Sequence, residues 1–289
     1  FVNRKIMYPD RAAYLSASSE KEYYDFYNSQ QINRMRLLAE NKKYSDEEGL
    51  VKVIKKSKAE GLLFRVYDPW RMASNEWARY HVENIIGYHP AKLSAYDKML
   101  PIIQMKSNFI FKMLNVGFDI ETNEKIDSNF KRAFFVKKII SNQNDKDARY
   151  QLYGSSSDPE DLSYITANQS KINNSLYSQN DKDKIYKINT SNPNEIVIDL
   201  STSGPQFLVI SEIFYPQGWT AMINGAETHI FEVNDLIRGV SIESSGDHTI
   251  KLCFHPKDLR LGLILSLLSF VSIASLICSE FINRKTSYV

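Results

Sequence analysis

Apolar positions along this chain change rhythm from one region to the next. Residues 20–60 carry them at helical spacing. Ser45, followed three residues later by Glu48, forms a capping-box pattern, with the hydroxyl and the carboxylate each placed to satisfy a free amide at a helix start. It opens Gly49–Ala59, where Leu50, Val53 and Ile54 make an apolar stripe. Leu62–Tyr67 reads as a strand closed by Asp68-Pro69, Ala91–Met105 as a second helix, and Ala133–Ile140 as a strand. Phe109–Ile120 is apolar without a clear period, so its type stays open. This mixture predicts an α+β domain rather than a regular βαβ array. From Ser141 to Asn194 the chain turns polar, which predicts a loop-rich connection with a few edge strands.

Between 195 and 256 the pattern is that of short strands. Glu195–Leu200 alternates, with Ile196, Ile198 and Leu200 on one face. Phe207–Ile210 is continuously apolar, as expected of a strand covered on both faces. Trp219–Ile223 follows a Pro216-Gln217-Gly218 turn. Asn224-Gly225 then signals a tight hairpin, because both central residues of a type I′ turn need positive φ. Thr228–Val233 returns from it. Leu236–Glu243 and His248–Phe254 flank a turn at Ser244-Ser245-Gly246-Asp247. Short strands at this spacing predict an antiparallel β-sandwich.

After Pro256 the rhythm disappears. From Leu261 to Ser279 no residue is charged, with Arg260 before and Glu280, Arg284 and Lys285 after. A helix of that length covers about 28 Å, close to the hydrocarbon thickness of a bilayer, so a transmembrane helix is expected over 260–280. Basic residues flank it on both sides and give no orientation. Ser266, Ser269, Ser272, Ser275 and Ser279 wind along one side. They predict a packing seam against a partner helix, the competing reading being bonds to their own i−4 carbonyls.

The expected division is therefore 1–140 as a mixed α+β domain, 141–194 as the polar connection, 195–256 as the sandwich and 260–280 as the membrane helix. Composition excludes several classes. With 36 Lys+Arg against 34 Asp+Glu the net charge is only +2, which argues against a nucleic-acid partner. Cys253 and Cys278 lie on opposite sides of the expected membrane boundary and are expected to be free thiols; two cysteines build neither a disulfide scaffold nor a four-cysteine zinc site. The chain lacks a Gly-rich phosphate loop, G-x-S-x-G and H-E-x-x-H, so no cofactor, no metal and no catalytic residue is assigned. Its first residue is Phe1, which suggests a piece of something longer.

One stretch combines rings with hydrogen-bonding groups. Tyr67, Trp70, Trp77, Tyr80 and Tyr88 are interleaved with Arg65, Asp68, Arg71, Asn75, Arg79, His81 and Asn84. Rings offer apolar contact to a sugar and arginine offers a donor fork to phosphate. The same pattern also fits a tyrosine-rich core with a charged surface.

Ser211-Glu212-Ile213-Phe214-Tyr215-Pro216-Gln217-Gly218-Trp219, Ile223-Asn224-Gly225, Leu236-Ile237-Arg238-Gly239-Val240 and Gly246-Asp247-His248-Thr249-Ile250 occur in order before the lipid span. Upstream lie Gly87-Tyr88-His89-Pro90-Ala91-Lys92-Leu93, Leu114-Asn115-Val116, Arg132-Ala133-Phe134-Phe135-Val136 and Asp158-Pro159. Together they resemble the C-terminal end of the YfhO-like bacterial membrane proteins. Gln217 is an insertion against that pattern, Asn224 replaces an Asp, and Gly117 stands where Lys is common.

The resemblance implies a polytopic protein of the C-type glycosyltransferase kind. Such a protein takes sugar from a lipid-phosphate carrier and acts on cell-envelope polymers outside the cytoplasm. This chain would then be its extracytoplasmic C-terminal region at the cell membrane, closing with one helix. Its implied partners are the lipid bilayer, further N-terminal membrane helices of the same protein, a lipid-phosphate-linked sugar and an envelope glycan. The expected contact residues are Arg65, Trp70, Tyr88 and His89, with Trp219 and Arg238 from the sandwich. The alternative is a non-catalytic, membrane-anchored surface module for binding or assembly.

Overall fold

The computed structural model describes residues 51–52, 54–56, 59, 63–69, 75–87, 93–122, 124–126, 131–141, 152–153, 157–165 and 175–286. The Ser45 capping box lies outside them. Residues 51, 52, 54–56 and 59 are helical, in line with the stripe. The protein is α+β; the described residues form three sheets and a long C-terminal helix.

The smallest sheet joins β1 (Arg65–Tyr67), β2 (Val116–Asp119) and β3 (Glu124–Lys125), with β1 parallel to β2. The largest has seven strands. These are β4 (Ala133–Phe135), β5 (Lys138–Ser141), β6 (Leu162–Ile165), β7 (Ser175–Leu176), β10 (Gln206–Ile213), β13 (Phe231–Val233) and β14 (Ile237–Ile242), in the order β4-β10-β14-β13-β6-β5-β7. Five more strands form the third sheet, ordered β12-β11-β15-β9-β8: β8 (Lys184–Asn189), β9 (Glu195–Thr202), β11 (Trp219–Ile223), β12 (Ala226–Thr228) and β15 (Gly246–Phe254).

The two larger sheets share an apolar core. Ala133, Phe135, Leu208, Ile210, Val240 and Ile242 from one meet Ile196, Ile198, Leu200, Ala221, Ile250 and Leu252 from the other. The alternation in β9 puts its isoleucines on that face. The opposite face of the seven-stranded sheet carries Phe134, Val136, Phe207, Val209, Phe231 and Val233. It packs against α1 (Ser94–Ile103) and α2 (Asn108–Met113). β10 is thus covered on both sides, which is why its sequence is continuously apolar.

Several elements differ from the sequence expectation in instructive ways. Phe109–Ile120 is a helix followed by a strand. Ser107 caps α2 by accepting from the Ile110 amide at 3.1 Å, and the chain reverses through Asn115 at φ 56 before β2. Ala133–Ile140 is two strands rather than one; β4 is at the sheet edge, whereas β5 lies between β6 and β7. Thr228–Val233 also divides, with β12 in one sheet and β13 in the other. The polar stretch supplies β6, which sits inside the large sheet parallel to β5. The Asn224-Gly225 hairpin forms as its composition predicts, with φ 50 and 85, between β11 and β12.

Directly after β15, α3 (Lys257–Thr286) begins. Its Leu261–Cys278 window has mean hydropathy 2.4, and none of it is buried. Ser269 and Ser272 donate to the Leu265 and Leu268 carbonyls at 2.8 and 2.9 Å, so these two serines satisfy themselves along the helix. Cys253 and Cys278 are free thiols.

Candidate functional site

Two arginines pair with the carboxylate of Glu212, near the end of β10, and a third lies close enough to feel its charge. Arg65 on β1 reaches it with Nη2 at 3.1 Å, and Arg132, just before β4, with Nε at 2.8 Å and Nη2 at 2.5 Å. A second carboxylate, Glu83, closes the ring by accepting from Arg65 Nε at 3.1 Å and Arg132 Nη1 at 2.7 Å. The remaining nitrogen of Arg65 donates to the Ser211 carbonyl at 2.6 Å and the Ser211 hydroxyl at 3.0 Å. Ser211 Oγ in turn donates to the Met113 carbonyl at 2.8 Å. Strands of two sheets and the turn after α2 are thereby fastened at one point.

The third arginine, Arg238 on β14, donates from Nε to the Ile213 carbonyl at 2.8 Å. Its guanidinium lies over the Trp219 ring, 3.9 Å from the centroid, and that ring packs against Phe254 at 5.3 Å. Its Nη1 is buried without a hydrogen-bond partner. Burial pulls the Arg238 pKa down to about 10, against the raising influence of Glu212. It stays charged at neutral pH. Burial likewise lowers Arg65, with Glu212 opposing. In Arg132 burial also disfavours the charge, but Glu212 and Glu83 outweigh it and hold its pKa above the ordinary value.

Arg132 belongs to two features at once. It also lines an open cleft of about 640 Å³ between the edge strands β4 and β8. Lys131, Glu160, Gln179, Asp183 and Tyr186 share that lining, and Tyr186 is 64% exposed. Gln179 Nε2 donates to the Phe135 carbonyl at 3.1 Å across the cleft floor. Planar amides, carboxylates and an exposed ring at one opening are groups that hold hydroxyl-rich ligands. Among the described residues no cluster of three or more His, Cys, Asp or Glu could hold a metal ion.

Of the six residues expected at a binding site, Arg65 pairs with Glu212, Arg238 feels the charge of Glu212, and Trp219 stacks on Arg238. Trp70, Tyr88 and His89 lie outside the described residues. Sequence reasoning did not select Arg132, Glu212 and Glu83 as site residues. The available signal was Arg132 itself, a cation directly against the apolar run Ala133–Val136. A charge at the end of a strand buried on both faces needs a carboxylate partner.

Fold and apolar helix together define an α+β membrane protein whose helix begins where its last strand ends. More than half of the chain, residues 86–266, matches the family described as Bacterial membrane protein YfhO, and the chain belongs to that family. No curated protein and no solved structure matches it.

Proposed function

We propose that this chain is the extracytoplasmic C-terminal part of a cell-envelope protein that transfers sugar from a lipid-phosphate carrier, and that it contributes glycan or lipid-phosphate binding rather than the catalytic acid. The single observation carrying this reading is the shared position of Arg132. It joins the arginine–carboxylate cluster to the cleft between β4 and β8. A sugar in the cleft lies beside Tyr186 and Gln179, while the guanidinium groups of Arg65, Arg132 and Arg238 hold positive charge close by. Trp219 adds an aromatic face on the side where α3 begins.

The test is a titration of the chain in nanodiscs with a lipid-phosphate-linked sugar and, separately, with envelope glycan, read by NMR shifts and tryptophan fluorescence. Saturable shifts that Tyr186→Ala and Arg132→Lys weaken support the reading. Unchanged spectra at millimolar ligand overturn it.

A further inference from the structure

At the end of the five-stranded sheet nearest α3, aromatic side chains gather beside the strand–helix junction. Trp219 opens β11 directly opposite Phe254, the last residue of β15. The loop before it, Phe214–Gly218, is fastened to the strand–helix junction. The His255 amide donates to the Gly218 carbonyl at 2.6 Å, and a Cβ on Gly218 would stand 3.0 Å from the Pro256 Cα. Gly218 has φ 87 there, so both the turn and the close approach require glycine. The loop is thereby held against the residues that lead into α3. Tyr215 and Trp219 both pack on Phe254, at 6.4 and 5.3 Å, and both rings stay half-exposed.

Depth follows from the helix. From Lys257 to Leu261 α3 rises by about 6 Å, comparable to one headgroup layer. Pro256 and the loop clamped to it then lie at headgroup level when Leu261–Cys278 fills the hydrocarbon. Half-exposed Tyr and Trp rings at that level match the aromatic residues that anchor proteins at the membrane interface. Beneath Trp219, the buried Arg238 guanidinium stacks on the ring and holds it in place.

We infer that the Phe214–Gly218 loop and the adjoining Trp219 dock on the phospholipid headgroup layer, with Tyr215 and Trp219 as interfacial anchors. The folded region is then seated on the bilayer rather than tethered above it. This does not depend on the sugar-transfer reading.

The experiment places the full chain in nanodiscs with and without lipid brominated near the headgroup. The emission of Trp219 is isolated as the difference between the native protein and Trp219→Phe. Docking predicts that brominated lipid removes this difference emission while aqueous acrylamide leaves it. Tyr215→Ser should restore part of it and shift it to the red. Emission quenched by acrylamide but untouched by brominated lipid overturns the inference. Loss of sugar binding with intact lipid quenching would sink the proposed function and leave the seat standing.

Discussion

The guanidinium of Arg238 is stacked 3.9 Å from the centre of the Trp219 indole, and this pair ties the seven-stranded sheet to the five-stranded one at the end where α3 departs. The ring keeps Arg238 in place while its Nε holds the Ile213 carbonyl. Trp219→Ala removes the ring from both Arg238 and Phe254. It should cost about 2 kcal/mol, below the range for a fully buried tryptophan because the ring is half-exposed. Trp219→Phe should cost less than about 1 kcal/mol. Thermal unfolding of both variants in nanodiscs gives the ranking, and equal losses would contradict the stacking argument.

Glu212 is the hub of the charge cluster. Glu212→Gln leaves Arg132, only 8% exposed, without its nearest carboxylate and weakens the hold on Arg65. The expected loss is about 3 kcal/mol, the low end for breaking a buried pair. Glu83→Gln should cost about 1 kcal/mol or less, since that carboxylate is 48% exposed and partly screened. Denaturant midpoints of the two variants check the order.

Gly239 on β14 makes room for the Phe207 ring. A Cβ there would lie 2.7 Å from Phe207 Cζ and 2.8 Å from Val233 Cγ2. Gly239→Ala must push both side chains in a core that packs on α1 and α2, so a loss of about 2–3 kcal/mol is expected. Gly225→Ala, in open space at the hairpin, should cost only about 1 kcal/mol for its φ of 85. A circular-dichroism melt of each distinguishes crowding from backbone strain.

Local chemistry was legible in the sequence, and sheet membership was not. The Asn224-Gly225 turn, the β9 alternation, the doubly covered β10 and the apolar α3 all follow from residues close in the chain. β6 was hidden because its few apolar residues follow the acidic stretch Asp158–Asp161 inside a polar region, and its partners β5 and β13 are supplied from elsewhere in the chain. The division of Thr228–Val233 was hidden for a similar reason: composition does not record where a chain leaves one sheet for another. Arg65, Trp219 and Arg238 were visible as chemistry, but the Arg65–Glu212 pair and the Arg238–Trp219 stack exist only once β1, β10, β11 and β14 are assembled.

Tyr164 gives the fold an alkaline limit. Burial, then the neighbouring Tyr153 and Asp235, hold its pKa well above the ordinary tyrosine value, and its hydroxyl bonds that of Tyr153. The unfolded chain loses this proton near pH 10, whereas the folded chain keeps it to higher pH. The native state therefore binds more protons in that window. The contribution is complete below about pH 10 and falls as pH rises toward the folded value. Denaturant midpoints measured from about pH 8 to 11 should decline, and Tyr164→Phe should flatten the decline while lowering stability at neutral pH by about 1 kcal/mol. An unchanged slope in that variant would assign the alkaline loss to other groups.

α3 carries the membrane assignment, and its sequence makes that assignment testable at one residue. None of the Leu261–Cys278 window is buried, and Phe270 near its middle is 70% exposed. In water such a surface would drive aggregation, whereas in lipid it is the favourable one. Ser269 and Ser272 do not alter that balance, because their hydroxyls bond the chain's own carbonyls. An arginine in place of Phe270 would put a charge near the bilayer centre at a cost of about 2.5–3.5 kcal/mol on an insertion scale. Phe270→Arg should therefore lower the inserted fraction and release protein on alkaline extraction. Tyr186→Arg, on the exposed edge strand β8, serves as the control and should leave extraction unchanged. Retention of Phe270→Arg equal to that of the native chain would mean that α3 is not held by lipid, and the seat proposed for Tyr215 and Trp219 would lose its support with it.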